Sequence, residues 1–325
     1  MKILITGISG FVARHFIELL ALSEGEHEVA GIYNNNRPRF SQEEYPGVKL
    51  SFHQADLVDG EQIKELMQQF QPTHILHLAS HSSVAYSWKH PAECIKENVA
   101  IFLNVVDTVR LLNLKCRILS IGSAEEYGIV DEASLPLREN SYPNPVSPYG
   151  VSRLMQEKIV EIYTRNYGLD IIHTRSFNHI GPYQNEKFVV SSFAKQIAEK
   201  LDGTNERINI STGDLDIVRD FTDVRDVVKA YFLLLKNGKK GSTYNVCSGN
   251  GYVLKDLLKK FELITGTQVS YHINENNIRP TENRKVIGNN EKLRTETGWT
   301  PEIPIEKSLD DLLSYWKSEI LVEKS

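Results

Sequence analysis

Tyr149 and Arg153 stand four residues apart in the stretch Ser147-Pro148-Tyr149-Gly150-Val151-Ser152-Arg153. On a helix that spacing puts the phenol and the guanidinium on one face. The pair suits a phenol that gives up a proton, with the cation stabilising the phenolate that forms. Ser123 closes an apolar run of strand type, Cys116 to Ser123, and chemistry in an open α/β sheet collects at the carboxyl ends of its strands. A second constellation lies near the N-terminus. There Gly7-x-x-Gly10-x-x-Ala13 joins a strand-like run, Lys2 to Thr6, to a stretch of helical spacing, Ala13 to Leu22. Gly7 lets the chain turn tightly, Gly10 lets backbone approach a pyrophosphate, and Ala13 lets helix pack close to strand. The helix N-terminus then offers free N–H groups and a partial positive charge to phosphates. In this setting the pattern reads as a dinucleotide site rather than a plain structural turn.

Which dinucleotide is read at the end of the second strand, Glu28 to Tyr33. An acid there would bind the ribose 2′-hydroxyl and repel a 2′-phosphate. Instead the strand runs into Tyr33-Asn34-Asn35-Asn36-Arg37, with Arg39 beyond and no acid before Glu43. An Arg pairs readily with a phosphate, so NADP(H) is the expected cofactor; the competing reading makes Arg37 and Arg39 solvated loop charges. Asp56-Leu57 follows the third strand, where an acid reaches an adenine edge or, alternatively, caps a helix. Small residues at Ala79-Ser80 would let a cofactor lie against the sheet.

These residues need a scaffold, and the hydrophobic pattern supplies one. Strand-like runs at Lys2–Thr6, Glu28–Tyr33, Val48–Gln54, Thr73–Ala79, Cys116–Ser123 and Leu169–Arg175 alternate with helical stretches. The helices are expected at Ala13–Leu22, Gly60–Phe70, Pro91–Leu112 and Ser152–Tyr167. That rhythm predicts an α/β fold with a doubly wound parallel sheet of Rossmann type. After Ser176 the regular alternation stops. Ser242–Ser248 is expected to rejoin the main sheet, and a helix near Val253–Thr265 to belong to a smaller C-terminal α/β substrate domain. The expected division is 1–177 with 222–248, and 178–221 with 249–325. The length of 325 residues suits one and a half or two domains. A net charge of −5 with no run of Lys or Arg excludes a nucleic-acid binder. The three widely spaced cysteines form no CxxC and no Cys/His cluster, so reduced, buried thiols are expected and no metal site. No apolar run reaches the roughly 18 residues of a membrane span. Met1-Lys2 leads straight into a strand, so no signal peptide and a cytoplasmic location are expected.

The glycine turn, the Gly122-Ser123-Ala124-Glu125-Glu126-Tyr127-Gly128 stretch and the Tyr149 segment together resemble the extended short-chain dehydrogenase/reductases. Thr174-Arg175-Ser176-Phe177-Asn178-His179-Ile180-Gly181-Pro182, Val218-Arg219-Asp220-Phe221-Thr222-Asp223-Val224-Arg225-Asp226-Val227 and Ile278-Arg279-Pro280-x-Glu282 extend the likeness over essentially the whole chain. The wording of the Asn178 and Asp220 segments is most similar to the GDP-4-keto-6-deoxy-D-mannose reductases of the nucleotide-sugar branch. The resemblance implies a Ser/Thr, Tyr, Lys triad, in which Ser123 holds a carbonyl oxygen and Tyr149 protonates it. The lysine position holds Arg153, which can bind a ribose and stabilise a phenolate but does not release its proton. Proton resupply is then expected from water. The opposing reading has Arg153 pointing to solvent in an impaired enzyme or a non-catalytic NADP(H)-binding regulator.

The same resemblance implies NADPH-dependent reduction of the C4 ketone of a nucleotide-linked 4-keto-6-deoxyhexose, in deoxysugar and cell-surface polysaccharide biosynthesis. GDP-4-keto-6-deoxy-mannose and UDP-4-keto-6-deoxy-N-acetylglucosamine are the two candidates. The alternative is an epimerase or 4,6-dehydratase with tightly bound NAD, although Ala124 lacks the carboxylate that a dTDP-glucose type of dehydratase uses to protonate its leaving hydroxyl. The expected cofactor site comprises Gly7, Ser9, Gly10, Phe11, Val12, Asn34, Arg37, Asp56, Leu57, Leu78, Ala79, Ser80, Asn98, Tyr149 and Arg153. The expected substrate site comprises Ser82, Ser123, Glu125, Asn178, His179, Arg219, Arg279 and Glu282. Arg219 and Arg279 would meet the nucleotide or its phosphates, and His179 would assist proton supply or be structural. Glu125 and Glu126 have a solvated or structural pair as their alternative. The resemblance also implies a homodimer through a four-helix interface formed by the two long helices, with Ile95, Val99, Phe102, Ile159 and Ile162; otherwise their apolar stripes face their own core.

Overall fold

The computed structural model describes residues 1–201, 207–275 and 283–324, with side chains to 322. The first half alternates as β1 (Lys2–Thr6), α1 (Phe11–Leu22), β2 (His27–Tyr33), β3 (Val48–Gln54), α2 (Gly60–Phe70), β4 (His74–His77), α3 (Val84–Lys89), α4 (Pro91–Leu111), β5 (Arg117–Ser123), α5 (Pro148–Tyr167) and β6 (Asp170–Ser176). Then follow β7 (Asn178–Ile180), α6 (Val189–Lys200), β8 (Arg207–Thr212), β9 (Val218–Asp223), α7 (Val224–Asn237), β10 (Thr243–Val246) and β11 (Gly251–Val253). The chain continues through α8 (Leu254–Thr265), β12 (Gln268–Ile273), β13 (Lys285–Val286), α9 (Glu291–Thr297) and α10 (Ile305–Lys324).

Seven strands pair in parallel in the order β10-β6-β5-β4-β1-β2-β3. Residues such as Ile3, Leu4 and Ile5 are buried on both sides of the sheet, as parallel strands covered by helices require. One face is closed by α1 and α7 around Phe16, Ile17, Tyr231 and Leu234. The other is closed by α2, α4 and α5 around Ile63, Met67, Phe102, Val106 and Val160. The order reverses between β1 and β4, which opens a crevice beyond their carboxyl ends. A further apolar cluster joins α6, α8 and α10 to β8 and β12 through Phe193, Ile210, Leu257, Phe261 and Leu312. β9 is flanked by β7, β11 and β13 in a small mixed sheet.

Local signals set the boundaries. Helix α5 begins at Pro148, four residues before the sequence expectation, because Ser147 accepts the Gly150 N–H and Pro148 fills the first turn. Helices α6, α7 and α10 fall where short segments were expected. Asp223 caps α7 by accepting the Arg225 N–H. Leu293 and Trp299, within the stretch assigned to the smaller unit, pack with the α1/α7 face of the main sheet. Trp299 Nε1 donates to the Asp226 carbonyl at 2.8 Å, which draws α9 back to that face. Cys94, Cys116 and Cys247 are buried free thiols. Among the described residues no helix is long and apolar enough to cross a membrane.

Asp220 on β9 is fully buried and ties this region together. It accepts the Ser248 N–H and hydroxyl at 2.9 and 2.6 Å, the Gly249 N–H at 3.0 Å and the Gly288 N–H at 3.2 Å. Burial pushes its carboxyl up to about 6 despite these donors. The folded chain therefore holds this proton more tightly than the unfolded one, and the group's contribution is lost as pH rises through about 6. Asp220→Asn would turn an amide N–H towards backbone donors. Urea unfolding at pH 7 should show a loss of about 2 kcal/mol or more; an unchanged midpoint would mean the cage is not needed.

Candidate active site

A continuous cleft of about 2170 Å³ runs over the carboxyl ends of the sheet and under α6 and α10. At one end the chain turns at Gly7 with φ +73°, where a Cβ would stand 3.0 Å from the Ala79 backbone. Gly10 N–H closes the turn on the Gly7 carbonyl at 3.0 Å. Gly10 precedes α1 and offers no side-chain cap, and the first turn carries no acid, so the first N–H groups of the helix are available to an anion. Gly7, Ser9, Gly10, Phe11 and Val12 line this end, with Leu78, Ala79 and Ser80 opposite. The backbone-lined turn and the uncapped helix fit a dinucleotide pyrophosphate.

Asn34 and Arg37 line the cleft beyond β2, and no acid of that loop does so before Arg39. Arg39 is ion-paired to Glu319 at 3.6 Å. Arg14, which the sequence reading passed over, also lines the cleft. It lies 3.9 Å over the Tyr183 ring and 3.2 Å from Glu44. Asp56 and Leu57 line the wall. Asp56 does not cap α2: Asp59 does, accepting the Glu61 and Gln62 N–H groups. Asn98 is not on the cleft surface. It is 1% exposed, accepts the His81 N–H at 2.8 Å and donates to Ser152 Oγ at 3.0 Å, so it braces the Ser80–Ser83 loop from behind.

Ser123, Tyr149 and Arg153 line the middle of the same cleft. Ser123 ends β5, and its hydroxyl oxygen accepts the Glu125 N–H at 3.2 Å, which leaves the hydroxyl proton to donate elsewhere. Tyr149 sits on the first turn of α5. One turn on, Arg153 lies with its guanidinium carbon 5.1 Å from the Tyr149 ring centre. Arg153 does not point to solvent: it is 4% exposed. Its Nη1 donates to the Ile121 carbonyl at 3.1 Å and to Gln156 Oε1 at 2.6 Å, and its Nη2 to Ser80 Oγ. Nε is buried without a hydrogen-bond partner.

Ser82, Glu125, Asn178, His179 and Arg219, expected at the substrate, line the far part of the cleft, and Arg279 and Glu282 lie outside the described residues. The His179 ring stacks on Phe11 with centres 5.5 Å apart. Burial lowers its affinity for a second proton, and Nδ1 stands 3.1 Å from the Phe177 carbonyl. A carbonyl can only accept, so Nδ1 carries the hydrogen and a neutral ring has none on Nε2 to supply. The geometry therefore argues against His179 as a proton source. Lys187 and Lys195 also line this end. No motif marked them in the sequence, because a surface lysine has no distinctive spacing.

The family model for GDP-mannose 4,6 dehydratase matches residues 4–312. The chain is 32% identical over 322 residues to GDP-6-deoxy-D-mannose reductase of Pseudomonas aeruginosa, covering 99% of each chain. The structure of RMD from Pseudomonas aeruginosa complexed with NADPH superposes with a TM-score of 0.84 at 32% identity, covering 98% and 100% of the two chains. UDP-glucose 4-epimerase from Thermotoga maritima, with UDP-glucose, superposes with a TM-score of 0.85 at 26% identity over 98% and 100%.

Replacing Arg153 with Met keeps the aliphatic stem and removes every donor. Ser80, the Ile121 carbonyl and Gln156 Oε1 would lose partners inside the protein. A stability loss of about 2–4 kcal/mol is expected in chemical denaturation; an unaltered midpoint would place the guanidinium in water.

Proposed function

The chain belongs to the GDP-mannose 4,6 dehydratase family, and we propose that within it this chain is an NADPH-dependent reductase of a nucleotide-linked 4-keto-6-deoxyhexose. The carrying observation is the full-length 32% identity to a GDP-6-deoxy-D-mannose reductase, joined to a β2 terminus that presents Asn34 and Arg37 rather than an acid. GDP-4-keto-6-deoxy-mannose is the favoured substrate on that relative.

The Gly7–Val12 turn and the N-terminus of α1 would hold the pyrophosphate of NADPH, and Arg37 the 2′-phosphate. NADPH, when bound, supplies hydride to C4. The rest of the chemistry belongs to the chain. The Ser123 hydroxyl donates to the ketone oxygen, because its own oxygen is already held by the Glu125 N–H. The Tyr149 phenol transfers its proton to that oxygen as it becomes an alkoxide, and the two donors stabilise the charge where it develops. Arg153 stabilises the phenolate but cannot reprotonate it, so water in the open cleft restores the phenol. Ala124, beside Ser123, offers no acid for eliminating water, which counts against a dehydratase of the dTDP-glucose type. An epimerase would return its reduced cofactor to the sugar and keep it bound.

The substrate half is proposed to be 178–221 with 249–325, less the α9 stretch that joins the main sheet. A homodimer through α4 and α5 is supported by Met155, Ile162 and Tyr167, large apolar or aromatic side chains exposed on α5. Phe102 and Ile159 are buried within their own core instead. A cytoplasmic location is part of this proposal.

Absorbance at 340 nm should fall stoichiometrically when the chain meets NADPH and GDP-4-keto-6-deoxy-mannose. No NADPH consumption, with NAD retained through purification, would instead make it an epimerase or dehydratase. Tyr149→Phe should lower kcat about 100-fold or more with NADPH affinity preserved; wild-type turnover would remove Tyr149 from the mechanism. Replacing Arg37 with Ala should raise KM for NADPH about 10-fold and leave that for NADH nearly unchanged; equal effects on both would exclude a 2′-phosphate contact.

A further inference from the structure

Behind the cleft floor lies a set of polar side chains that the reaction above does not use. Ser120, Glu126, Gln156 and His173 are all 0% exposed. They link end to end. Glu126 Oε1 accepts the Ser123 N–H at 2.7 Å. His173 Nε2 stands 3.3 Å from both Glu126 oxygens, and His173 Nδ1 3.0 Å from Ser120 Oγ. Gln156 Nε2 donates to Ser120 Oγ at 2.7 Å, and Gln156 Oε1 accepts from Arg153. The chain therefore starts at the backbone of one group flanking Tyr149 and ends at the guanidinium of the other.

A second branch anchors it. Arg175 holds Glu157 through a two-bond fork, Nε to Oε2 at 2.9 Å and Nη2 to Oε1 at 2.8 Å. Arg175 Nε is also 3.6 Å from Glu126 Oε2. Burial raises the Glu126 carboxyl. Burial would raise Glu157 too, but Glu126, the His173 ring and the Arg175 fork reverse this and hold Glu157 below the usual carboxylate range. The Arg175 guanidinium and the His173 ring thus face two carboxyl groups held in one buried cluster. The fold makes room for it at Gly122, where a Cβ would stand 2.3 Å from Glu126 Oε1 and 2.4 Å from His173 Nε2. An apolar filling of this space would serve stability as well as buried ionisable groups do, so their geometry calls for another account.

We propose that Glu126 is a positioning residue for the reduction: through this unbroken buried chain it locks the Ser123 backbone and the Arg153 guanidinium into one relative placement around Tyr149. The inference rests on the reading of Ser123, Tyr149 and Arg153 as the reducing site. Ser123 comes from β5 and Arg153 from α5, with a long excursion of chain between them. An arginine side chain has many rotamers to lose, and a misplacement near 1 Å at a reacting centre costs about 100-fold in rate. The network removes that freedom from below, while the cleft stays open above.

Three variants test this, each as the full chain with NADPH and GDP-4-keto-6-deoxy-mannose. Ser120→Ala cuts the chain with the least change of shape. It should lower kcat about 10-fold or more, a larger effect than that on the NADPH dissociation constant. Glu126→Leu should do the same or worse, and Glu126→Gln should recover most of the rate. The Gln carbonyl can still take the Ser123 N–H, and its amide can donate to Glu157. A crystal structure of Ser120→Ala with NADPH gives a readout free of turnover: the Gln156 amide should turn and the Arg153 guanidinium should shift with it. If Arg153 stays in place, or if it moves with kcat intact, the proposal is overturned, even where Glu126→Leu fails to fold. If the wild-type chain does not reduce the keto sugar, the functional reading falls, and the position of Arg153 in Ser120→Ala still decides the coupling.

Discussion

The Arg153 guanidinium reaches the underside of the cleft from α5 and binds three separate pieces of the fold. These are the Ile121 carbonyl on β5, the Ser80 hydroxyl beyond β4 and Gln156 on its own helix. A buried cation held this way cannot be withdrawn without stranding its acceptors, so the first turn of α5 is pinned over the sheet. Tyr149 on that turn, with the guanidinium carbon 5.1 Å from its ring centre, is consequently aimed at the cleft beside Ser123. A guanidinium in this place brings a fixed positive charge that does not release its proton, which accords with the role proposed for it.

The remaining architecture serves this arrangement. The reversal of strand order between β1 and β4 creates the crevice, and the start of α1, with no side-chain cap, turns N–H groups towards one end of it. Two apolar layers keep the sheet rigid beneath. A third, gathered from α6, α8 and α10, brings Asn178, Arg219, Lys187 and Lys195 over the far end, where a nucleotide diphosphate would need cations. Asp220 holds that side by collecting four donors from three loop positions.

Much of this was legible in the residues alone. The strand–helix alternation up to Arg175 carried the parallel sheet, because buried parallel strands read as short apolar runs between helices of amphipathic spacing. The Gly7 turn and the Tyr149/Arg153 spacing were local signals and came through. Beyond Ser176 the helices α6, α7 and α10 were missed, since Pro, Asn and Gly in the flanking loops masked their apolar stripes. Trp299 returns to the main sheet through a hydrogen bond to Asp226, a contact between distant residues that no local pattern announces. Asn98 lies behind the cleft because its amide is consumed by His81 and Ser152. Glu126 had a visible cue: Ser123-x-x-Glu126 is a capping box. Its link to Arg153 runs through β6, which only folding brings alongside.

A net reduction by exchangeable cofactor moves one hydride from nicotinamide to sugar, and isotopic labelling follows that atom. With NADPH carrying deuterium at C4 of the nicotinamide, on the transferred face, and GDP-4-keto-6-deoxy-mannose as substrate, the product should carry one deuterium at C4 of the sugar. An unlabelled product, or label that never leaves a protein-bound cofactor, would contradict it.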